Sequence, residues 1–390
     1  MEMHYVIDTF FSIFAMTLII FMVPGFAMLE AGLVRTKNVT SVLTVNVMIY
    51  AVASLAFLLV GYTYAFGSWD HQDSINKYAF FLFQMAFVGK VVNIMSGGVS
   101  ERSRIIPLVL FTIVVGAFLY PTIVNITWGA NFLSGTMFDI SDMHDLAGST
   151  VIHSTGGWAL LAAILIMGAR RGRYKENGAI QVIPASNIPL VVLGAFLLWI
   201  GWFGFNGGSV GAISTKENAD AVALTIMNTN TAGLAGAIVG WLMTYVRYKK
   251  FDVTMILNGA LGGLVAITAG PDLYDIHTPI LIGAIGGALV VLFVPLFDKL
   301  KMDDPVGALS VHLVNGIWGT LAVGIFTDVS FLTQLKGVIV VAAIVFPLSF
   351  AIIYSINKIF TLRASDDEQL EGIDAIECGI EAYPEFKRSI

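Results

Sequence analysis

A chain of 390 residues would ordinarily make two or three soluble domains, but 57% of these residues are hydrophobic and only 12% charged, about half the charged share of a typical globular protein. With a mean hydropathy of +0.81 there is too little polar surface to cover a globule of this size, which excludes most soluble folds and indicates a polytopic membrane protein. The net charge of -6 and the scatter of the 21 basic residues give no nucleic-acid footprint. The single cysteine, Cys378, excludes an intrachain disulfide and a cysteine-built metal site.

Crossing a bilayer takes roughly 20 mostly apolar residues, and eleven stretches qualify: 8–34, 41–66, 79–98, 104–127, 146–169, 186–206, 219–247, 253–270, 276–297, 305–326 and 333–361. The first runs past signal-peptide length without a basic leader, so it is expected to be a retained span. None shows the alternating pattern of a membrane barrel. The fold class expected is therefore an all-α polytopic membrane protein with eleven transmembrane helices.

Orientation follows from the links. Arg35, Lys37, Arg102, Arg104, Arg170, Arg171, Arg173, Lys175, Arg247, Lys249, Lys250, Lys299 and Lys301 fall in one alternating set, joined by Lys358, Arg363, Lys387 and Arg388 of the tail. The other set holds Lys77, Lys216 and Lys336, and Lys90 alone lies inside a span. The positive-inside rule then predicts a cytoplasmic C-terminus, an outer N-terminus and a cell-membrane location. Gly259, Gly262 and Gly263, with Gly283, Gly286 and Gly287, predict close helix packing rather than a phosphate loop, since no strand precedes them.

Two segments repeat. Asp145 is followed by His153, Gly157 and Trp158, and Asp304 by His312, Gly316 and Trp318. These are the fifth spans of two halves, and an odd number of spans inverts the second half, as in transporters with midplane sites. Counting from the aspartates, each histidine should lie about 11 Å into its helix, so the two should meet near the bilayer centre. Intramembrane ionisable residues are functional candidates; the alternative is two separate histidines, each bonded to a neighbouring hydroxyl or carbonyl. Both aspartates stand where helix caps belong, and at Asp145 capping and cation attraction are compatible.

Over nearly its whole length the chain resembles the ammonium transporter (Amt/Mep/Rh) family. The resemblance is carried by Val23-Pro-Gly25, Ala31-Gly-Leu-Val-Arg35-Thr-Lys-Asn38, Gly61-Tyr-Thr-Tyr-Ala-Phe-Gly67, Phe83-Gln-Met-Ala-Phe87, Ser100-Glu-Arg102, Asp145 to His153, Gly201-Trp-Phe-Gly-Phe205-Asn-Gly-Gly-Ser209, Gly372-Ile-Asp374 and Ala382-Tyr383. It implies a five-plus-five inverted repeat with a long C-terminal eleventh helix, a homotrimer with one pore per subunit, and ammonium or ammonia as the substrate. Trp128 and Ser209 are similar to an outer recruitment site, Asp145 to the acid beneath it, and Phe83, Phe87 and Phe205 to the aromatic entry, with Phe87 and Phe205 as a stacked phenyl gate. His153 and His312 resemble the twin histidines that line the pore and relay a proton. Residues 1–363 correspond to the transporter domain. Residues 364–390 correspond to an acidic cytoplasmic tail that packs under the bundle and meets regulators such as PII-type proteins; a solvated tail is the alternative. No cofactor is implied, and no nucleophile–base set points to an enzyme.

Lys90 departs from the pattern. It lies one helical turn after Phe87, so if Phe87 faces the pore then Lys90 does too. A charged Lys90 would occupy the place of the substrate and repel a second cation, whereas an uncharged one would join the relay. This keeps open an ammonium sensor on the same scaffold, blocked by Lys90, and a pore for another small solute. The link from Trp128 to Asp145 is also longer than usual for the family, with Asp139, Asp142 and Asp145 closely spaced.

Overall fold

In the computed structural model, which describes residues 2–70 and 74–386, the chain is almost wholly helical and no strand forms among the described residues. Lys387 and Arg388 lie outside them. Among the described residues ten helices are long and apolar enough to cross a membrane: α1 (Glu2–Leu33), α2 (Thr36–Phe66), α3 (Lys77–Val99), α4 (Ile105–Thr127), α5 (Ser149–Met167), α6 (Ile188–Ser209), α7 (Lys216–Tyr248), α9 (Thr278–Lys299), α10 (Leu309–Phe326) and α11 (Phe331–Ile359). Between α7 and α9 stands the shorter α8 (Val253–Ile267). Its 15 residues rise only about 22 Å, less than the hydrocarbon thickness of a bilayer. The irregular chain that continues it is sheltered: Thr268 and Ala269 are buried and accept main-chain bonds from Ala147 and Leu146 at 3.2 and 2.8 Å. Non-helical backbone is tolerated at membrane depth only with such partners.

Glycine permits the closest helix contacts, as the sequence predicts. A Cβ on Gly263 would meet the Ala232 carbonyl at 2.3 Å, one on Gly283 the same carbonyl at 2.1 Å, and one on Gly287 the Gly236 carbonyl at 2.3 Å. Thus α7, α8 and α9 meet backbone to backbone.

Two similar contacts join the repeats. Gly157, four residues after His153, would carry a Cβ 2.7 Å from the Leu313 Cα, and Gly316, four after His312, one 2.4 Å from the Ser149 carbonyl. Each half therefore seats the other half's histidine-bearing turn against a bare backbone. Both turns are π-helical, Ser149–Ser154 and Leu309–Val314, a form concentrated at functional sites.

The expected depth of the histidines needs correction. The helices begin at Ser149 and Leu309, several residues after the aspartates, because Gly148 (φ +102°) and Gly307 (φ +83°) hold the left-handed turns that precede them. His153 and His312 are thus about one turn into their helices, not two. The aspartates still cap, from outside. Asp145 accepts the N–H groups of Gly148, Ser149, Thr150 and Val151 at 2.7–3.0 Å, and Asp304 those of Val306, Gly307 and Leu309.

The basic ends of the helices are tied by a buried charge network. Arg170 binds Asp303 from Nε at 2.8 Å and Glu101 from Nη1 at 3.2 Å, while Arg35 holds Glu101 from Nε at 2.9 Å. Burial alone would raise the Asp303 carboxyl, but the hydrogen bonds and charge of Arg170, with Arg102, bring it down to about 2. Asp303 precedes Asp304, so the network fixes the approach to α10. On the same end the tail packs against the bundle through α12 (Asp366–Glu371) and the turn after it. Asp374 accepts the N–H groups of Thr40 and Ser41 at 2.9 and 2.7 Å, and Arg104 binds Glu368 and Glu377.

Candidate functional site

Five of the side chains singled out in the sequence, Phe83, Phe87, Phe205, His153 and His312, form one line of ring contacts. Phe83 meets Phe87 edge to face at 4.9 Å between ring centres, Phe87 meets Phe205 at 4.6 Å, and Phe205 lies over His153 at 5.6 Å. The phenyl pair differs from the expected stack: its planes cross at 78°, the arrangement favoured when a ring's positive edge meets a negative face. Beyond the pair, His153 and His312 stack at 5.1 Å and approach Nδ1 to Nδ1 at 3.2 Å. Each is nearly sealed, 2% and 5% exposed.

That contact has a chemical consequence. A neutral imidazole carries one N–H and one lone pair, so one Nδ1 donates and the other accepts, and the two rings hold opposite tautomers. If the free Nε2 of one ring takes a proton, the shared proton can cross and the other ring can release its own Nε2 proton, which leaves the tautomers exchanged. The Nε2 of His153 is buried without a protein partner and is free to meet a small molecule that donates or accepts a hydrogen bond.

Two rings escaped the sequence reading. Trp202 stacks on His153 at 5.3 Å, its planes within 17°, and is anchored by Nε1 donating to Thr268 at 2.9 Å. Phe26 flanks His312 at 6.3 Å. Trp202 lies one turn before Phe205 on α6, a spacing that places both on one face.

Trp128 donates from Nε1 to the Asp145 carbonyl at 3.0 Å. Ser209 gives its hydroxyl hydrogen to the Phe205 carbonyl at 2.8 Å, which leaves oxygen lone pairs available as acceptors. Gly208 beside it leaves room for Phe83, whose ring lies 2.6 Å from where a Cβ would stand. The three acidic residues of the long link do not gather. Asp139 organises its own loop through Asn131, Gly135 and Ser141, and these bonds hold its carboxyl well below the usual range. Asp142 is exposed, and Asp145 is spent on the helix cap. Among the described residues no group of three His, Cys, Asp or Glu side chains could hold a metal.

Lys90 is 2% exposed on α3, where helical spacing sets it on one stripe with Phe83, Phe87, Ile94 and Gly97. Ile94 and Gly97, further along that stripe, line a cavity with His312. No charged group among the described residues compensates it. Between the cavity and the basic end opens a larger space of about 130 Å³, lined by Arg170, Arg173, Asp298, Asp304 and Ser310 among others.

Comparison with known proteins agrees with the geometry. A profile of the Ammonium Transporter Family matches residues 10–383. The ammonium transporter Amt2 of Archaeoglobus fulgidus is 35% identical over 97% of this chain and 89% of its own, and Amt1 of Methanocaldococcus jannaschii is 33% identical over 97% of each. Among solved structures, one described as a sensor Amt protein superposes with a TM-score of 0.89 at 32% identity, covering 97% of this chain and all of that one. Candida albicans Mep2, with a TM-score of 0.83 at 24% identity over 93% and 87% of the two chains, is alike in fold.

Proposed function

The chain belongs to the ammonium transporter family, and from that premise we propose that it carries ammonium inward across the cell membrane along the line of rings, with the C-terminus cytoplasmic. The observation that carries the proposal is the buried His153–His312 pair, 3.2 Å apart at the end of an aromatic entry.

Ammonium reaches the outer end hydrated. The Trp128 face and the lone pairs of Ser209 replace part of its water, with cation–π attraction worth about 0.5–2 kcal/mol, while the Asp145 carboxylate beneath supplies a favourable field. The cation cannot go far, because a bare charge in apolar surroundings faces a penalty of many kcal/mol. Loss of a proton removes most of it. Neutral ammonia then passes the edge-to-face phenyl pair, and the histidine pair takes the proton at one Nε2, passes the shared proton between the rings and releases a proton from the other Nε2. Trp202 and Phe26 hold the two imidazoles in plane. As in the family at large, three subunits would each carry one pore, and the docked tail offers a surface for a regulator of the PII type.

A second reading has its own support. Lys90 is buried on the stripe of Phe83 and Phe87 without a counter-charge, and a solved structure with a TM-score of 0.89 to this chain is described as a sensor. On this reading the protein binds ammonium and Lys90 blocks passage. Expression in a strain that lacks its own ammonium uptake separates the two. Growth on low ammonium with the wild-type chain supports transport, and growth only with Lys90→Ile supports the blocked receptor.

A further inference from the structure

One buried acid takes no part in the pathway described so far. Glu30 lies one turn after Phe26 on α1, 1% exposed. Its Oε2 accepts from Asn46 at 3.1 Å and its Oε1 from Ser96 at 3.1 Å. Asn46 in turn accepts from Asn93 at 2.8 Å, and Asn93 Oδ1 is buried with no protein partner. No cation among the described residues stands beside the carboxyl. A glutamine could accept from Asn46 and donate to the Ser96 hydroxyl, which already gives its hydrogen to the Asn93 carbonyl at 3.0 Å, so packing does not require an acid here, and an unpaired buried carboxylate is expensive.

Position supplies the reason. Glu30 and His312 line one cavity of about 20 Å³ together with Phe26 and Asn93, room for a single water. Glu30 also lines a second cavity of about 10 Å³, with Ser41, Ser96, Ser100, Glu101 and Ser103. The second cavity leads to the basic end, where Arg35 and Arg170 fix Glu101. Glu30 is therefore a titratable group shared between the histidine cavity and a hydroxyl-lined one, and Asn93 Oδ1 is an open acceptor for the water that would join Glu30 to His312.

We propose that Glu30 is the inner proton station: it receives the proton that His312 gives up and passes it through the serine-lined cavity, on a branch separate from the exit of ammonia. In the first step an imidazolium N–H bond breaks and a carboxyl O–H bond forms, by way of one water. In the second the O–H bond breaks and the proton enters the hydroxyl chain, which restores the carboxylate. No electrons change hands. The assignment rests on the transport pathway proposed above.

Two readouts on reconstituted wild type, Glu30→Gln and Glu30→Asp test it. In infrared difference spectra taken with and without ammonium chloride, a carboxyl C=O band should change in wild type and be missing from Glu30→Gln. The ammonium-evoked current should fall about a hundredfold in Glu30→Gln, with unchanged melting, and recover in part in Glu30→Asp. Equal currents and the same infrared difference in wild type and Glu30→Gln overturn the assignment while leaving transport intact. No ammonium current from wild type overturns the pathway and this station with it.

Discussion

Replacing Asp145 by alanine removes the acceptor of four main-chain N–H groups at once, those of Gly148, Ser149, Thr150 and Val151. The carboxylate is 2% exposed, so water does not simply take its place. One hydrogen bond to a charged group contributes about 1.5–3 kcal/mol, but four donors sharing one carboxylate do not add, and fraying of the first turn recovers part of the loss. A net cost of about 3–5 kcal/mol is expected, the range for removing one partner of a buried charged network. Asp145→Asn retains an acceptor for one pair of donors but turns an amide N–H toward the other, so it should fall between. Thermal unfolding followed by tryptophan fluorescence in detergent measures this, with a drop of roughly 5–10 °C expected for Asp145→Ala. Asp139→Ala, which loosens an exposed loop, is the control and should change little. A wild-type melting temperature for Asp145→Ala would refute the capping argument. It would also remove the reason for placing His153 where it stands, since the cap sets the start of the turn that carries it.

Three further outcomes are expected. His312→Ala strips His153 Nδ1 of its partner and should lower the ammonium current about a hundredfold while melting within a few degrees of wild type; an undiminished current contradicts the relay. Burial lowers the His144 imidazole, but the hydrogen bond and charge of Asp272 overcome this and hold it above its ordinary 6.5. A raised folded value means the pair's stabilisation is fully present below about pH 6.5 and is lost as pH rises through the folded value. The melting difference between wild type and Asp272→Asn should therefore be larger at acid than at alkaline pH, and a flat difference refutes the pairing. Asp374→Ala removes the acceptor of two N–H groups at the start of α2, so amide exchange in the docked tail should rise, as read by mass spectrometry.

Much of this architecture was legible in sequence because lipid leaves the backbone few choices. Apolar length marked the spans, and the spacing of Asp145 with His153 and of Asp304 with His312 exposed the repeat. What escaped depended on local geometry. The histidines sit shallower in their helices than counted, because left-handed glycines place the helix starts after the aspartates and no apolar pattern records that. Phe87 and Phe205 were legible as a pair, but not their crossing angle. Trp202 was visible one turn from Phe205, yet a tryptophan in a membrane helix has many ordinary uses. Glu30 could not be weighed until its two cavities were seen, since an acid near a helix end is most often capped or paired.

The proposed transport path runs along the rings to the histidine pair, with Lys90 on the same helix stripe as Phe87. If Lys90 is charged about one turn from the cation's path, roughly 5.4 Å, repulsion at an effective dielectric near 20 amounts to about 3 kcal/mol, or roughly two hundredfold in occupancy. The direct measurement is the current evoked by an ammonium jump on solid-supported membranes that carry wild type or Lys90→Ile. A current from wild type that grows in Lys90→Ile is the predicted result. Silence from wild type with a current from Lys90→Ile would contradict transport and leave a blocked ammonium receptor.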